Sequence, residues 1–356
     1  MTPLAYNNSQ IHFGDLQEVG FEGFLEEHYA HSKKVIITDE TVSEIWMSYF
    51  ITNFPSLSKA EIITIPAGEE YKTVEICEQI WMAMSDYQIS RKDVVINIGG
   101  GVITDLGGFV ASLFKRGLDF INIPTTLLSQ VDASVGGKTG VDLGPFKNQV
   151  GVFSDARAVY VDTQFLSTLD KEQLLSGFAE IIKHSLITDV QYWESLKSVQ
   201  PESDDLQAII RKSVKIKRDV VAADHKEEGE RKKLNFGHTI GHAIEGFLLE
   251  NGNVTLHGYA VAWGMIAEAF ISNQKGMLSA DELDEITYLI RSKFPSAPIS
   301  KENFKRIIQL CYNDKKNHGG IIRGVLLSKI GQAEIDQEIT DQEVLNALNF
   351  LLELTA

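Results

Sequence analysis

Short β-branched runs alternate with helical stretches in the first part of the chain, and this alternation restricts the possible folds more than any other feature. The runs are Val35–Thr38, Ile62–Ile65, Val94–Ile98 and Phe120–Ile123. Strands alternating with helices are typical of parallel sheets with crossover connections, and continuous apolar runs indicate a sheet covered on both faces. The sequence therefore predicts an α/β, Rossmann-like parallel-sheet domain.

In the second half of the chain, long amphipathic helical stretches replace the strand-like runs. Helices are predicted at Glu172–Thr188 and Asp204–Ala223, and a small hairpin within Gly320–Ile335. A last helix is predicted at Asp341–Leu352, with Thr340 as its cap. The 356 residues are enough for two domains. We therefore expect an α/β domain at 1–169 and a mostly α-helical domain at 170–356.

Charge and apolar content exclude several function classes. A formal net charge of −16 repels nucleic acid and anionic membranes, so neither is expected as a partner. The two cysteines, Cys77 and Cys311, lie outside any metal-knuckle or redox spacing. The longest apolar candidate, Gly258–Phe270, contains Glu268 and is too short to span a bilayer. The first residues lack a secretory pattern, which predicts a cytoplasmic protein.

A glycine-rich turn follows the predicted strand at Val94–Ile98. It reads Gly99-Gly100-Gly101 and leads into a helical stretch. Glycines at a strand-to-helix turn allow backbone amides to approach a pyrophosphate, so this turn is a candidate dinucleotide site. The alternative is an ordinary tight turn, because the usual GxGxxG spacing is absent. Two further polar loops follow neighbouring strands, at Gly68–Lys72 and Pro124–Thr126.

Histidines at helical spacing suggest a metal site. His238, His242 and Glu245 share one face of a helix, and His257 opens the next helical stretch. The spacing alone does not choose between His242 and His257 as the second imidazole ligand. Glu180 is a candidate carboxylate ligand in an apolar run, although a surface ion pair with Lys183 is the more common arrangement.

Cations concentrate in a few segments of this acidic chain. Val131–Asn148 is rich in glycine and charge, and we expect it to form an irregular functional loop. Arg211–Arg218 and Arg231–Lys233 add further cations. Most such groups are solvated surface charges, but next to a metal they favour an anionic small molecule.

Taken in order, these segments closely resemble the 3-dehydroquinate synthase family over nearly the whole chain. The motifs that carry the resemblance are Gly99–Asp105, Pro124–Leu128, Asp132–Lys138, Lys147-Asn148, Gly177–Lys183, Arg231–Glu245, His257-Gly258 and Asp314–Lys316. The resemblance implies a dehydroquinate synthase-like fold, and zinc ligated by Glu180, His238 and His257, with cobalt as a possible substitute. His242 would then face the substrate.

The resemblance also implies the remaining site residues. NAD would be held by Asp39, Glu69, Lys72, Gly100, Gly101, Val102, Thr104, Asp105, Thr125, Thr126, Lys138, Lys147, Phe165, Leu166, Ser167 and Thr168. The anionic substrate would be met by Asp132, Lys138, Asn148, Lys183, Lys217, Arg231, Asn235, His242 and one of Lys315 or Lys316. In the homodimer that the resemblance implies, Arg116 would cross from a second subunit. Thr104 stands where the family commonly has glycine, and Thr41 where it often has an amide.

The implied activity is conversion of 3-deoxy-D-arabino-heptulosonate 7-phosphate, a phosphorylated keto acid, to 3-dehydroquinate and phosphate in the shikimate pathway. It would proceed by transient oxidation with NAD, phosphate elimination, reduction, ring opening and intramolecular aldol closure. Three alternatives are another sugar-phosphate cyclase, a metal-dependent polyol dehydrogenase, and a silent NAD-binding protein with a structural zinc. Arg231 and Asn235 favour the keto acid over substrates that lack a carboxylate, and the lysine-rich site argues against a neutral polyol.

Overall fold

The computed structural model describes residues 2–6, 9–144, 146–312 and 321–354, and the chain divides into two compact units. The first unit comprises Met1–Leu169 and Leu206–Arg218, and the second comprises Asp170–Asp205 and Asp219–Ala356. The segment Leu206–Arg218 thus belongs to the first unit although it follows residue 170. The domain boundaries at 1–169 and 170–356 stay a prediction.

The first unit alternates strands and helices, as the sequence predicts. Its elements are β1 (Leu4–Tyr6), β2 (Ser9–Phe13), α1 (Phe21–Tyr29), β3 (Lys34–Asp39), α2 (Glu40–Asn53), β4 (Glu61–Ile65), α3 (Val74–Asp86), β5 (Val94–Gly99), α4 (Gly101–Leu113), β6 (Asp119–Pro124), β7 (Lys138–Leu143), β8 (Phe146–Phe153) and β9 (Ala158–Val161).

Seven of the described strands of this unit form a sheet in the order β1-β2-β9-β6-β5-β3-β4, and β7 and β8 form a separate two-stranded sheet. Every neighbouring pair in the larger sheet is parallel except β1 and β2 at one edge. Ile36, Ile96 and Ile121 are fully buried in the central strands, as expected for a sheet covered on both faces. The chain reverses its direction of travel across the sheet between β3 and β5, and ligands bind at such switch points.

The segment Val131–Asn148 is not the irregular loop that its composition suggests. After a π-helical turn at Ser129–Ala133, β7 and β8 form an antiparallel hairpin in which Gly140 lies opposite Gly151. A Cβ on Gly140 would lie 2.7 Å from the Val150 carbonyl oxygen. The glycines thus permit close strand pairing here. The same glycines make β7 and β8 hard to predict from sequence, because glycine also occurs in loops.

The second unit is mostly helical. Its elements are α5 (Lys171–Thr188), α6 (Val190–Leu196), α7 (Gln207–Ala223, of which the residues up to Arg218 belong to the first unit), α8 (His238–Glu250), α9 (His257–Gln274), α10 (Ala280–Lys293), α11 (Phe304–Cys311), β10 (Ile322–Lys329), β11 (Gln332–Ile339) and α12 (Asp341–Glu353).

Two local predictions for this unit are confirmed. β10 and β11 pair as an antiparallel hairpin, and Thr340 caps α12 in a capping box with Glu343. In each case short-range signals suffice, since a hairpin and a helix cap are formed by residues close in sequence. Among the described residues, every helix is too short or too polar to cross a lipid bilayer.

Candidate functional site

Polar groups of the first unit collect where the central parallel strands end. β3 ends at Asp39, β5 at Gly99 and β6 at Pro124, and the pairs β3·β5 and β5·β6 place these ends at one edge of the sheet. Asp39 caps α2, because its Oδ1 accepts from the Val42 amide at 2.9 Å. This edge is where a doubly wound sheet binds a nucleotide.

The glycine turn after β5 opens directly into α4. Gly100 is the N-cap residue and supplies no side-chain cap, so the first-turn amides of α4 have the polarity that attracts an anion. A Cβ on Gly100 would lie 3.0 Å from Cγ2 of Thr126. The Thr125 amide donates to the Gly99 carbonyl at 3.0 Å. The turn and the Thr125-Thr126 loop thus form a glycine-dependent cradle that suits a pyrophosphate.

Val102 and Thr104 lie in the first turn of α4, and they differ in exposure. Val102 is half-buried. Thr104 is buried, and its hydroxyl donates to the Gly101 carbonyl at 3.2 Å and lies 3.2 Å from the Ser129 hydroxyl. The Thr104 side chain therefore braces the turn from the inside of the unit.

A buried lysine lies among carboxylates beside this turn. Lys72 is 4% exposed, and its Nζ lies 2.7 Å from Glu69 Oε1 and 3.7 Å from Asp105 Oδ2. Burial lowers the pKa of Lys72, but the charges of Asp105 and Glu69 outweigh it and raise the pKa above its usual value. Burial, opposed by Lys72, raises the pKa of Asp105 to about 7. The Asp105 carboxyl group can accept hydrogen bonds from a ribose.

The β7–β8 hairpin presents the predicted cation and amide side chains. Lys138 begins β7 and is exposed. Lys147 Nζ lies 4.0 Å from Glu69 Oε1. The hairpin is therefore adjacent to the cluster of Lys72, Glu69 and Asp105 within the first unit. Asn148 adopts a positive φ of 51°, and its backbone N–H donates to Asp142 Oδ1 at 2.6 Å.

The other predicted residues of this unit lie in three places. Lys217 Nζ lies 2.7 Å from Asp132 Oδ1, so the cation is held by a partner. The 3-10 turn Thr163–Thr168 contains buried Phe165, half-buried Leu166 and exposed Ser167, and it is fastened by the Trp46 indole donating to Thr168 Oγ1 at 3.1 Å. Arg116 is exposed at a positive φ of 72°.

The second unit brings Glu180, His238 and His257 together from three helices, α5, α8 and α9. Glu180 Oε1 lies 3.7 Å from His238 Nε2 and 3.5 Å from His257 Nε2. Two ligand atoms held at about 2.1 Å by one tetrahedral ion lie about 3.4 Å apart. These three side chains therefore fit a common divalent ion, and a mixed carboxylate and imidazole donor set suits zinc.

Glu180 and Lys183 form a buried ion pair, so the surface-pair interpretation of these residues is wrong. Glu180 is 0% exposed and Lys183 1% exposed. The error has a physical cause. The helical spacing of an ion pair is the same on a solvated and on a buried face, and only the packing of α5 distinguishes the two.

The buried charges determine protonation in this cluster. Burial raises the pKa of Glu180, but Lys183 and the histidines outweigh it and hold the pKa well below its usual value. Burial and Lys183 lower the pKa of His238 well below its usual value. Burial lowers the pKa of His257, but Glu180 and Glu245 outweigh it and raise the pKa to about 9. The cluster thus presents an ionised carboxylate and a neutral His238.

His242 differs from the other two histidines because it is exposed. Its ring centre lies 5.0 Å from that of His238 and 5.6 Å from that of His257, and a nitrogen from each of the three rings lies within 4.8 Å of the others. Geometry alone therefore allows His242 as a ligand. Its exposure favours contact with a small molecule.

Two carboxylates of this unit, Glu245 and Glu268, are not among the site residues that the resemblance implies. Glu245 Oε2 lies 3.7 Å from His257 Nδ1, where a carboxylate can orient a ligating imidazole. Glu268 is 0% exposed in α9. The sequence signal for Glu268 is a charge inside the apolar helical run Gly258–Phe270.

Arg231 and Asn235 lie in the 3-10 turn Glu230–Asn235 that precedes α8. Arg231 is 2% exposed, and its guanidinium donates to the His225 carbonyl at 2.7 Å. The Asn235 amide donates to Glu227 Oε1 at 2.9 Å. Both side chains are thus preorganised. The predicted substrate contacts Lys315 and Lys316 lie outside the described residues.

Comparison with known proteins gives the same family for both units. The family models for 3-dehydroquinate synthase match at residues 62–176 for the N-terminal part and 177–317 for the C-terminal part. The chain is 38% identical over 326 residues to the 3-dehydroquinate synthase of Parabacteroides distasonis, covering 91% of this chain and 92% of that protein.

Solved structures of sugar-phosphate cyclases share the fold. A 2-epi-5-epi-valiolone synthase from Streptomyces hygroscopicus subsp. jinggangensis 5008, with NAD+ and Zn2+ bound, is 24% identical with a TM-score of 0.85, covering 99% of this chain and 98% of that one. A 2-deoxy-scyllo-inosose synthase in complex with carbaglucose-6-phosphate, NAD+ and Co2+ is 24% identical with a TM-score of 0.84, covering 98% and 99%. With family models matched in both units and 38% identity to a relative over nine-tenths of its length, this chain belongs to the 3-dehydroquinate synthase family.

Proposed function

We propose that this protein is a 3-dehydroquinate synthase, a carbon–oxygen lyase that converts 3-deoxy-D-arabino-heptulosonate 7-phosphate to 3-dehydroquinate and inorganic phosphate. Family membership supports the activity. The observation that carries it in the structure is the convergence of Glu180, His238 and His257 on one point, in a chain whose other unit holds a glycine turn suited to a dinucleotide.

Glu180, His238 and His257 would hold the divalent ion, which when bound polarises a substrate hydroxyl and stabilises the negative charge that develops on its oxygen. Glu245 would orient His257 through Nδ1. Lys183 fixes Glu180 in its ionised form because it contributes a buried positive charge. These residues therefore keep the ligand set charged and rigid before substrate arrives.

In the first unit, the amides at the start of α4 and the Lys72, Glu69 and Asp105 cluster would hold NAD, which when bound accepts a hydride from the substrate and later returns it. Lys72 lets Glu69 and Asp105 lie close together, because two carboxylates without a cation between them would repel each other. Thr104 braces the turn through its contact with Ser129. The turn is thus shaped before the cofactor enters.

The family resemblance implies that the anionic groups of the substrate would be met by Lys138, Asn148, Lys183, Lys217, Arg231 and Asn235. Arg231 suits a carboxylate because its guanidinium can donate two parallel hydrogen bonds. His242, exposed and next to the ligand cluster, can accept or donate a proton on the substrate.

One assay tests the proposal. Phosphate release is measured from 3-deoxy-D-arabino-heptulosonate 7-phosphate with and without NAD and a chelator, while the absorbance of reduced nicotinamide is followed. We expect phosphate and carbocycle in equal amounts, loss of activity with chelator, and no net cofactor reduction. Accumulation of reduced nicotinamide, or turnover only with phosphates that lack a carboxylate, contradicts the proposal.

The homodimer is a further part of the proposal, and it rests on the family resemblance. Exposed Arg116, on a turn of positive φ in the first unit, is the residue expected to reach a second copy. Sedimentation at assay concentrations, with wild type and Arg116→Ala compared for both mass and activity, separates a role in assembly from a role in substrate binding.

A further inference from the structure

A buried acid joins the two helices that carry His238 and His257. Glu268 lies in α9 with 0% exposure, and the apolar residues Met265 and Ile271, three positions to either side, are also fully buried. An ionised carboxylate in such surroundings is costly unless hydrogen bonds satisfy its oxygens. Glu268 Oε2 accepts from the Gly237 amide at 2.6 Å, and Oε1 accepts from the Ile240 amide at 3.1 Å.

Both of these donors belong to the start of α8. Gly237 is the N-cap residue, in a left-handed conformation with φ of 80°, and it provides no side-chain cap. A Cβ at this position would lie 2.6 Å from Met265 Cγ and 2.9 Å from the Val261 carbonyl oxygen. A serine or aspartate cap is therefore sterically barred, and the carboxylate of α9 performs that function from outside the helix.

The backbones of α8 and α9 approach closely at the same place. A Cβ on Gly264 would lie 1.8 Å from the Gly237 carbonyl oxygen, and a Cβ on Gly241 would lie 2.6 Å from the Ala260 carbonyl oxygen. The contact is therefore made by glycines, which have no side chains to interlock and set the register. Hydrogen bonds from the Gly237 and Ile240 amides to one carboxylate supply a directional constraint at this crossing.

This constraint acts on a proposed metal ligand. His238 is the first residue of α8 and directly follows Gly237, and His257 is the first residue of α9. We propose that Glu268 is a positioning residue for the metal centre. It holds the N-terminus of α8 against α9, so that His238 Nε2 and His257 Nε2 face the same oxygen of Glu180. This inference rests on the proposed metal-dependent function.

The test compares Glu268→Ala and Glu268→Gln with Ser272→Ala as a matched control. Ser272 lies one turn further along α9, is 0% exposed, and accepts from the Leu327 amide at 3.0 Å. Its substitution therefore also leaves a buried amide in this unit without its partner, but not in α8. The measurements are the zinc dissociation constant by chelator competition, the absorption spectrum of bound Co2+, NAD affinity and thermal unfolding of the metal-free protein.

We expect Glu268→Ala to weaken zinc binding by about 10- to 100-fold, the range found when partners of metal ligands are removed. Glu268→Gln retains one acceptor oxygen and should lose less, with a changed Co2+ spectrum. Ser272→Ala should leave zinc affinity and the Co2+ spectrum unchanged even where thermal unfolding shifts, and NAD affinity should be unchanged in all three variants.

Two outcomes overturn the inference. One is zinc affinity in Glu268→Ala that falls no further than in Ser272→Ala, which would make Glu268 a stability residue only. The other is a Glu268→Gln protein with wild-type zinc affinity and Co2+ spectrum. This second outcome decides the question even if the alanine variant does not fold. Failure of the proposed function is distinguishable, because in that case the wild-type protein itself would bind no zinc through Glu180.

Discussion

The glycine turn of the first unit and the histidine cluster of the second differ in the kind of group that they present. The turn presents backbone amides at the edge of a sheet, and of the charged side chains beside it Lys72 is buried while Glu69 and Asp105 are half-buried. The cluster places Glu180, Lys183 and His238 inside packed helices, with exposures of 0%, 1% and 9%. Buried charges without water depend on their partners much more than exposed ones do. We therefore expect substitutions in the cluster to have the larger effects.

The largest effect is expected for Glu180→Gln. Gln keeps the size of the side chain but removes the negative charge that binds the ion and pairs with Lys183, so turnover should fall by at least about 1000-fold together with loss of stoichiometric zinc. Zinc content and phosphate release are measured on the same preparation. Glu172→Gln, an exposed acid in the same helix, is the control and should be silent. A zinc-replete, active Glu180→Gln protein is incompatible with the ligand assignment.

His242→Ala should have the next largest effect and a different signature. Removal of an exposed imidazole that transfers a proton should lower kcat by about 100-fold, while zinc remains bound because His242 is not a proposed ligand. Metal analysis beside steady-state kinetics checks this. Should the zinc content fall with the activity, His242 is a ligand and the ligand set implied by the family resemblance is wrong.

The pH dependence of metal binding tests the electrostatics of the cluster. In the metal-free protein the pKa of His257 is raised to about 9, while those of Glu180 and His238 are lowered. His257 is therefore protonated at neutral pH, and the ion must displace one proton. Apparent zinc affinity should rise by about tenfold per pH unit up to pH about 9 and then level off. Calorimetry in buffers of different ionisation enthalpy counts the protons released. A count of zero at neutral pH would contradict the assigned charges.

The smallest of these effects is expected in the first unit. Lys72→Met removes the cation between Glu69 and Asp105, so the acids repel a bound phosphate and NAD affinity should fall by about tenfold. Zinc affinity should not change. Fluorescence titration with NAD measures the effect, and Lys59→Met, at an exposed lysine of the same unit, serves as the control. An equal loss in both variants would mean that only overall charge matters.

These two regions also differ in how far the sequence predicts them. Gly99-Gly100-Gly101 directly follows a strand, and the local order of strand, turn and helix is sufficient to predict its place. Glu180 lies 58 positions before His238 in the sequence, and no local pattern relates the two. The family resemblance named the ligands, whereas spacing alone left His242 and His257 as alternatives.

The β7–β8 hairpin is another region that local sequence patterns do not predict. Its glycines and charges are typical of an irregular loop, yet Gly140 and Gly151 pair because strands can approach closely where no side chains intervene. Glu268 is a similar case. A lone acid in an apolar run has no assignable role until the start of α8 is seen to donate to it.

The sequence by itself determined the alternation of strands and helices in the central sheet, the nucleotide-type turn, the histidine spacing and the family, because each depends on residues that are near neighbours or occur in a fixed order. Only the tertiary structure decided that Glu180 and Lys183 are buried, that an oxygen of Glu180 faces two imidazoles, and that a carboxylate of α9 caps α8. These features depend on which helix faces meet, and the packing of side chains far apart in the chain determines that contact.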